Sequence, residues 1–164
     1  LQLTLPGTKN GRLPCSQLHA MPRLFVYGSL MNARSREDTT GRPVRARRAA
    51  LRPAAHLRLG WSFRSARHRM TCLALYPDPH STMSVDGMVL WVDDTMLAKL
   101  DVREEGYERF RVSPHHIQMD AASHDHDHSA DVYTYVIRQP APPTPAFPVT
   151  ARYRALCSER QETP

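Results

Sequence analysis

Glu104 falls where an apolar residue is expected. It follows Leu97 by seven residues and Leu100 by four, so a helix predicted over 94–105 carries it on the core-facing stripe. Glu105 points about 100° further round, toward solvent. Asp101 lies near the margin of the stripe, where it could bind a backbone group or an arginine. A carboxylate on a buried stripe needs a compensating partner, because desolvating its charge is unfavourable. Either Arg103 or another arginine supplies an ordinary ion pair, or the carboxylate sits in a dry pocket with a raised pKa, suited to general acid–base chemistry.

The second chemical feature is Tyr27-Gly28-Ser29-Leu30. Gly28 supplies the backbone freedom of a sharp turn, and backbone N–H groups exposed there can hold a carboxylate or an oxyanion. Ser29 as a hydrolase nucleophile is the weaker reading. It lacks the second glycine of a Gly-x-Ser-x-Gly elbow, and no histidine stands out as its base. A third feature is the biased stretch 115–131, with His115, His116, Asp120 and His-Asp-His-Asp-His at 124–128. Those histidines and aspartates could take Zn²⁺ or Ni²⁺ adventitiously; a solvated loop is the preferred reading.

These groups need a frame. Leu24 to Tyr27 forms an apolar run that suits a strand buried on both faces. Residues 31–40 are polar, a short helix or a loop, broken by Gly41-Arg42-Pro43. The arginine-rich stretch 44–52 reads as a solvated face, since it has no interleaved aromatics for nucleic acid. Residues 56–64 alternate as a half-buried strand, and 71–76 make a second, ended by Pro77 and Pro79. Met88 to Val92 should lie at the centre of a sheet, with Trp61 and Trp91 as core anchors. Asp93 or Asp94 can cap the helix, and Gly106 is placed to end it. Strand character resumes over 107–112 and 131–137. An extended proline-rich connector over 140–148 precedes a short helix at 149–157.

Several strands with only one or two helices define an α+β domain, with a mixed or mostly antiparallel sheet able to close into a small barrel. The 164 residues suit one domain: an arm or leader over 1–20, a folded unit over 21–157, and a frayed end over 158–164. No apolar run approaches the ~20 residues of a spanning helix. The net charge of +6 is almost all arginine, Lys9 and Lys99 being the only lysines. That excess fits phosphate binding or, preferably, a bias in codon usage. Cys15, Cys72 and Cys157 give neither a disulfide framework nor a zinc signature, which favours a reducing, cytoplasmic setting.

Three stretches together, Leu24 to Leu30, Asp86 to Val92 and Leu100 to Tyr107, resemble the gamma-glutamylcyclotransferase-like family, which includes the AIG2-like and ChaC-like proteins. The resemblance runs from about residue 23 to 112, and more loosely through 133–136 and 153–157. It implies a small β-barrel with flanking helices and a cavity at its mouth. Tyr27, Gly28, Ser29 and Leu30 would bind a gamma-glutamyl group, and Glu104 would match the catalytic glutamate. Tyr107 and Tyr135 would line the pocket or simply pack in the core. The implied reaction is attack of the substrate's α-amine on its own γ-carbonyl, releasing 5-oxoproline and an amine or amino acid. It calls for no metal or organic cofactor, and for no nucleic-acid or membrane partner. Two departures stand out: Ser158-Glu159-Arg160 follows Cys157 where the family often has a Glu-Gly-like step, and the His/Asp insert is foreign to the pattern. The alternative is a non-catalytic member of the fold that binds a small molecule or a protein.

Overall fold

A computed structural model describes residues 21–120 and 130–158. Residues 1–20, expected to be an arm or leader, most of the His/Asp stretch and the last six residues lie outside them. Among the described residues, eight strands form one sheet: β1 (Arg23–Val26), β2 (Ala46–Leu51), β3 (Leu57–Ser65), β4 (Met70–Pro77), β5 (Val85–Trp91), β6 (Glu108–Val112), β7 (Ile117–Met119) and β8 (Val132–Val136). Three helices accompany them: α1 (Ala33–Thr40), α2 (Asp94–Arg103) and α3 (Ala151–Ser158).

The sheet order is β3-β4-β8-β1-β5-β2-β7, with β6 pairing β8 off this path. Most pairs are antiparallel, but β8 runs parallel to β1 at its start and to β4 at its end. The mixed α+β architecture is therefore as expected, but the barrel is not closed. The terminal strands β3 and β7 do not pair with one another, and three-residue β7 is too short to extend the wall.

β1 is buried along its whole length, and its side chains divide two apolar layers. Phe25 joins Leu51, Leu75, Val89 and Trp91 on one face. Leu24 and Val26 meet Leu90, Met96, Leu97 and Leu100 on the other. Burying each of those α2 side chains contributes about 1.5–3 kcal/mol, which fixes α2 across the face of β1. The strand pairing leaves no room for a side chain at position 87: a Cβ there would lie 2.4 Å from the Val26 carbonyl oxygen and 2.5 Å from the Phe25 ring.

α2 starts at Asp93, whose carboxylate accepts the Met96 N–H at 2.8 Å and pairs with Arg42. It ends at Glu104, whose N–H bonds to Leu100 O. Gly106, with φ +96°, turns the chain out two residues later, under the Phe63 ring.

Two strands escaped the sequence reading. The stretch taken as a solvated basic face contains β2, which pairs with β5 on one side and β7 on the other. Its pattern is weak because only Ala49 and Leu51 are buried, while the neighbouring Arg45 lays its guanidinium over Trp91, 4.3 Å from the ring centroid. β7 lies inside the stretch expected to be a loop, and its three residues are too few to show a period. Trp91 is a core residue, whereas Trp61 is only half-buried and packs edge-on against Tyr153.

Candidate active site

The split in the sheet makes the site. β1 and β4 both run parallel to β8 but meet different parts of it, and the chain leaves β1 at Val26 in the gap between them. Tyr27 fills that gap. Its hydroxyl donates to the Tyr135 carbonyl at 2.8 Å and accepts the Leu75 N–H at 3.1 Å. It thereby stands in for a rung of the β4–β8 ladder.

Beyond Tyr27 the chain coils into a 3₁₀ turn, Gly28–Met31, which starts with Gly28 at φ +58°. Asn32 then caps α1 by accepting the Ser35 N–H at 3.0 Å. The turn is held from below by buried Arg36, which donates to Leu30 O at 3.0 Å and Met31 O at 2.6 Å. Its burial lowers the guanidinium pKa, an effect opposed by neighbouring Glu37. Neither the Tyr27 rung nor the Arg36 brace was legible beforehand, because each depends on contacts between distant segments.

Glu104 faces this corner. Its side chain is 15% exposed, and Arg103 Nε lies 3.2 Å from its Oε1. Burial raises the carboxyl pKa, and Arg103 partly offsets the rise. The two readings offered for Glu104 thus coexist: it is ion-paired and it is desolvated. Arg103 also ties the corner to the helices. Its terminal nitrogens donate to Ser35 O and Thr39 Oγ1 at 2.7 Å, Ser35 Oγ at 2.8 Å and Ser29 Oγ at 3.2 Å. With Arg103 donating to it, the Ser29 hydroxyl is an acceptor, and no histidine lines either part of the cavity except His68 at the outer wall.

Between the corner and Glu104 lies a recess of about 20 Å³, lined by Tyr27 to Leu30, Tyr107 and Tyr135 among others. That is room for one water-sized group. Ser29, Glu104, Tyr107 and Tyr153 also line an adjoining outer cleft of about 400 Å³. Every sequence-selected residue therefore borders one cavity. The tyrosine hydroxyls are already engaged, however: Tyr107 donates to Leu73 O at 3.0 Å, and Tyr135 to Asp101 Oδ1 at 2.8 Å. Asp101 holds Arg109 with its other oxygen. It is a structural partner rather than a wall of the cavity.

α3 contributes what the sequence reading overlooked. Tyr153 borders both parts of the cavity, and the Cys157 sulfur lies beside the Ser29 N–H; burial raises the Cys157 thiol pKa, and its hydrogen bonds with Tyr153 and the Ser29 N–H offset part of the rise. Buried Cys72 lines the outer cleft; burial raises its thiol to about 11. Both thiols are free. Among the described residues no group of three or more His, Cys, Asp and Glu side chains is arranged to hold a metal, and residues 121–129 lie outside them. No helix among them is long and apolar enough to cross a membrane.

The fold and cavity define an α+β protein with a buried carboxylate facing a backbone corner at the edge of a split sheet. The chain belongs to the family described as gamma-glutamyl cyclotransferase, AIG2-like, whose profile matches residues 24–154. Among solved structures, one titled gamma-glutamyl cyclotransferase aligns with 75% of this chain and 71% of its own, at 17% identity and a TM-score of 0.55. An uncharacterized protein from Homo sapiens aligns with 82% of this chain and 75% of its own, at 17% identity and a TM-score of 0.56. The chain spans 61% of an Arabidopsis thaliana protein known from its solution structure, which covers 70% of this chain at 23% identity with a TM-score of 0.46. The two likenesses with TM-scores of 0.55 and 0.56 show the fold. No curated protein sequence matches.

Proposed function

We propose that this protein is a gamma-glutamyl cyclotransferase, with Glu104 as general acid and base. The observation that carries the reading is a largely buried carboxylate with a raised pKa, facing the Gly28–Met31 turn across a shared recess. The substrate's γ-glutamyl carbonyl would enter that recess, with the donors at Gly28 to Leu30 near the oxygen where charge develops. An ammonium is not nucleophilic, so Glu104 first takes a proton from the substrate's α-amine. The freed lone pair attacks the γ-carbonyl carbon and closes a five-membered ring. As the tetrahedral intermediate collapses, Glu104 returns a proton to the departing nitrogen. The C–N bond breaks and the ring nitrogen passes its surplus proton to the released amine, giving 5-oxoproline and an ammonium product.

Intramolecular attack benefits from fixing the reacting atoms in one conformer, and a narrow recess favours that. Oxyanion binding at Ser29 N–H would displace the Cys157 sulfur now beside it. Arg103 opposes the burial-driven rise in the Glu104 pKa, and that favours the deprotonated form a general base needs.

Incubation with a panel of gamma-glutamyl amino acids, amines and glutathione, with 5-oxoproline as readout, tests the reading. Glu104→Gln should lower kcat at least ~100-fold with an unchanged circular dichroism spectrum. An unchanged rate would remove Glu104 from the mechanism, and the absence of product from every substrate would reject the activity.

A further inference from the structure

We infer that Arg67 and His68, at the tip of the β3–β4 hairpin, form a subsite for a carboxylate on the leaving group. The favoured substrates are then gamma-glutamyl amino acids or peptides with a free C-terminal carboxylate, not simple gamma-glutamyl amines. This inference rests on the cyclotransferase reading.

The two parts of the cavity set the direction of the substrate. The recess beside Glu104 and the corner holds about 20 Å³, so only the reacting carbonyl enters it, while the glutamyl α-amine and the α-carboxylate next to it stay at its mouth beside Glu104, the group that takes the amine's proton. Whatever is attached to the departing nitrogen must lie in the outer cleft of about 400 Å³. One wall of that cleft is the hairpin, where Ser65, Ala66, Arg67, His68 and Met70 line it.

The basic side chains of the cleft are Arg67, His68 and Arg103. Arg103 already donates to Ser29, Ser35 and Thr39 and pairs with Glu104. Nearby Arg64 is turned away and held by the Pro142 carbonyl at 2.7 and 2.9 Å. Arg67 and His68 are exposed, and neither side chain has an ionic or hydrogen-bonding partner among the described residues. The tip that carries them is ordered by its own backbone. The His68 N–H donates to Ser65 Oγ at 3.3 Å, and Arg69 adopts a left-handed conformation with φ 49° that closes the turn into β4. That conformation is strained for an arginine, so the surrounding pairing must enforce it.

The acidic groups on the same cleft are Glu104 and Glu105. Glu104 is balanced by Arg103 and sits at the reacting end. Exposed Glu105 lies at the end of α2, on a different element from the tip. A carboxylate two or three bonds beyond the scissile nitrogen would meet the Arg67 guanidinium and the His68 ring, whereas an alkylamine brings no anion to that wall of the cleft.

Gamma-glutamyl-alanine and gamma-glutamyl-ethylamine differ by that carboxylate alone and make the test. The full chain should turn over the alanine compound with a higher kcat/KM, and the preference should shrink as NaCl is raised. Arg67→Glu should cut the ratio of the two kcat/KM values about fivefold or more, the value of one exposed ion pair near 1 kcal/mol, while Arg67→Lys should keep most of it. General damage to the fold would lower both rates and leave the ratio alone. A ratio near one in the unmodified protein, or one that Arg67→Glu does not change, overturns the subsite while the cyclotransferase reading stands. If neither compound nor any other gamma-glutamyl substrate yields 5-oxoproline, both fall together.

Discussion

Replacing Arg103 by methionine should destabilise the protein in a manner that depends on pH and on Glu104. Arg103 is 24% exposed and Glu104 15%, so solvent screens their attraction only partly. Removing one partner of a fully buried pair costs about 3–5 kcal/mol. The partial exposure of both groups reduces the expected loss to about 2–3 kcal/mol, or about 5–10 °C in Tm for a domain of this size.

Glu104 has a folded pKa above the 4.5 of a free glutamate, so the native state binds more protons than the unfolded state between those two values. Its contribution is present in full below 4.5 and is lost as pH rises through the folded pKa. Without Arg103 the folded pKa rises further, and the carboxylate at neutral pH has no nearby cation to offset its desolvation. Arg103→Met should thus cost most near pH ~8 and least near pH ~4.5. Adding Glu104→Gln should recover part of the loss at high pH, because the neutral amide avoids the buried charge. Urea melts of the four proteins at both pH values form a double-mutant cycle. The acid limb of kcat/KM in Arg103→Met should also move to higher pH. A loss equal at both pH values, with no recovery in the double variant, would mean that Arg103 acts only through Ser29, Ser35 and Thr39. The electrostatic argument for Glu104 would then be wrong.

Two further substitutions probe the frame of the site. Tyr27→Phe removes the hydroxyl between Leu75 N–H and Tyr135 O and should cost about 1–3 kcal/mol in a chemical melt; an unchanged midpoint would mean that β4 and β8 close the rung directly. Gly87→Ala should cost at least ~3 kcal/mol by differential scanning calorimetry, since its Cβ would overlap the Val26 carbonyl oxygen and the Phe25 ring. A variant that melts with the parent would show that β1 and β5 can part without loss.

Where local pattern and burial agree, the sequence was a sufficient guide. Leu24 to Val26 reads as doubly buried because it is, and Leu97, Leu100 and Glu104 keep one phase even though Glu104 stands just past the last helical residue. β2 was obscured because Arg45 covers Trp91 and the strand buries only Ala49 and Leu51, near its end. β7 was too short to carry a signal. At the site, Glu104 and the Gly28 turn could be found from one-dimensional spacing. Arg36 and Tyr153 could not, because nothing in their neighbourhoods distinguishes them from any solvated arginine or amphipathic tyrosine. Arg103 was offered as a partner for Glu104, but its grip on Ser29, Ser35 and Thr39 spans 64–74 positions of sequence and appears only on folding.

The hydroxyl of Tyr27 ties the breathing of the sheet to the shape of the cavity. Because it bridges β4 and β8 from the residue just before the turn, the corner cannot swing away without freeing a buried amide and a buried carbonyl. Opening of the recess and fraying of the β4–β8 seam are therefore one event with one free energy, and exchange of the Leu75 amide hydrogen would report both. The floor of the cavity belongs to the cooperative core. The least deeply packed wall is α3, which has no fully buried residue.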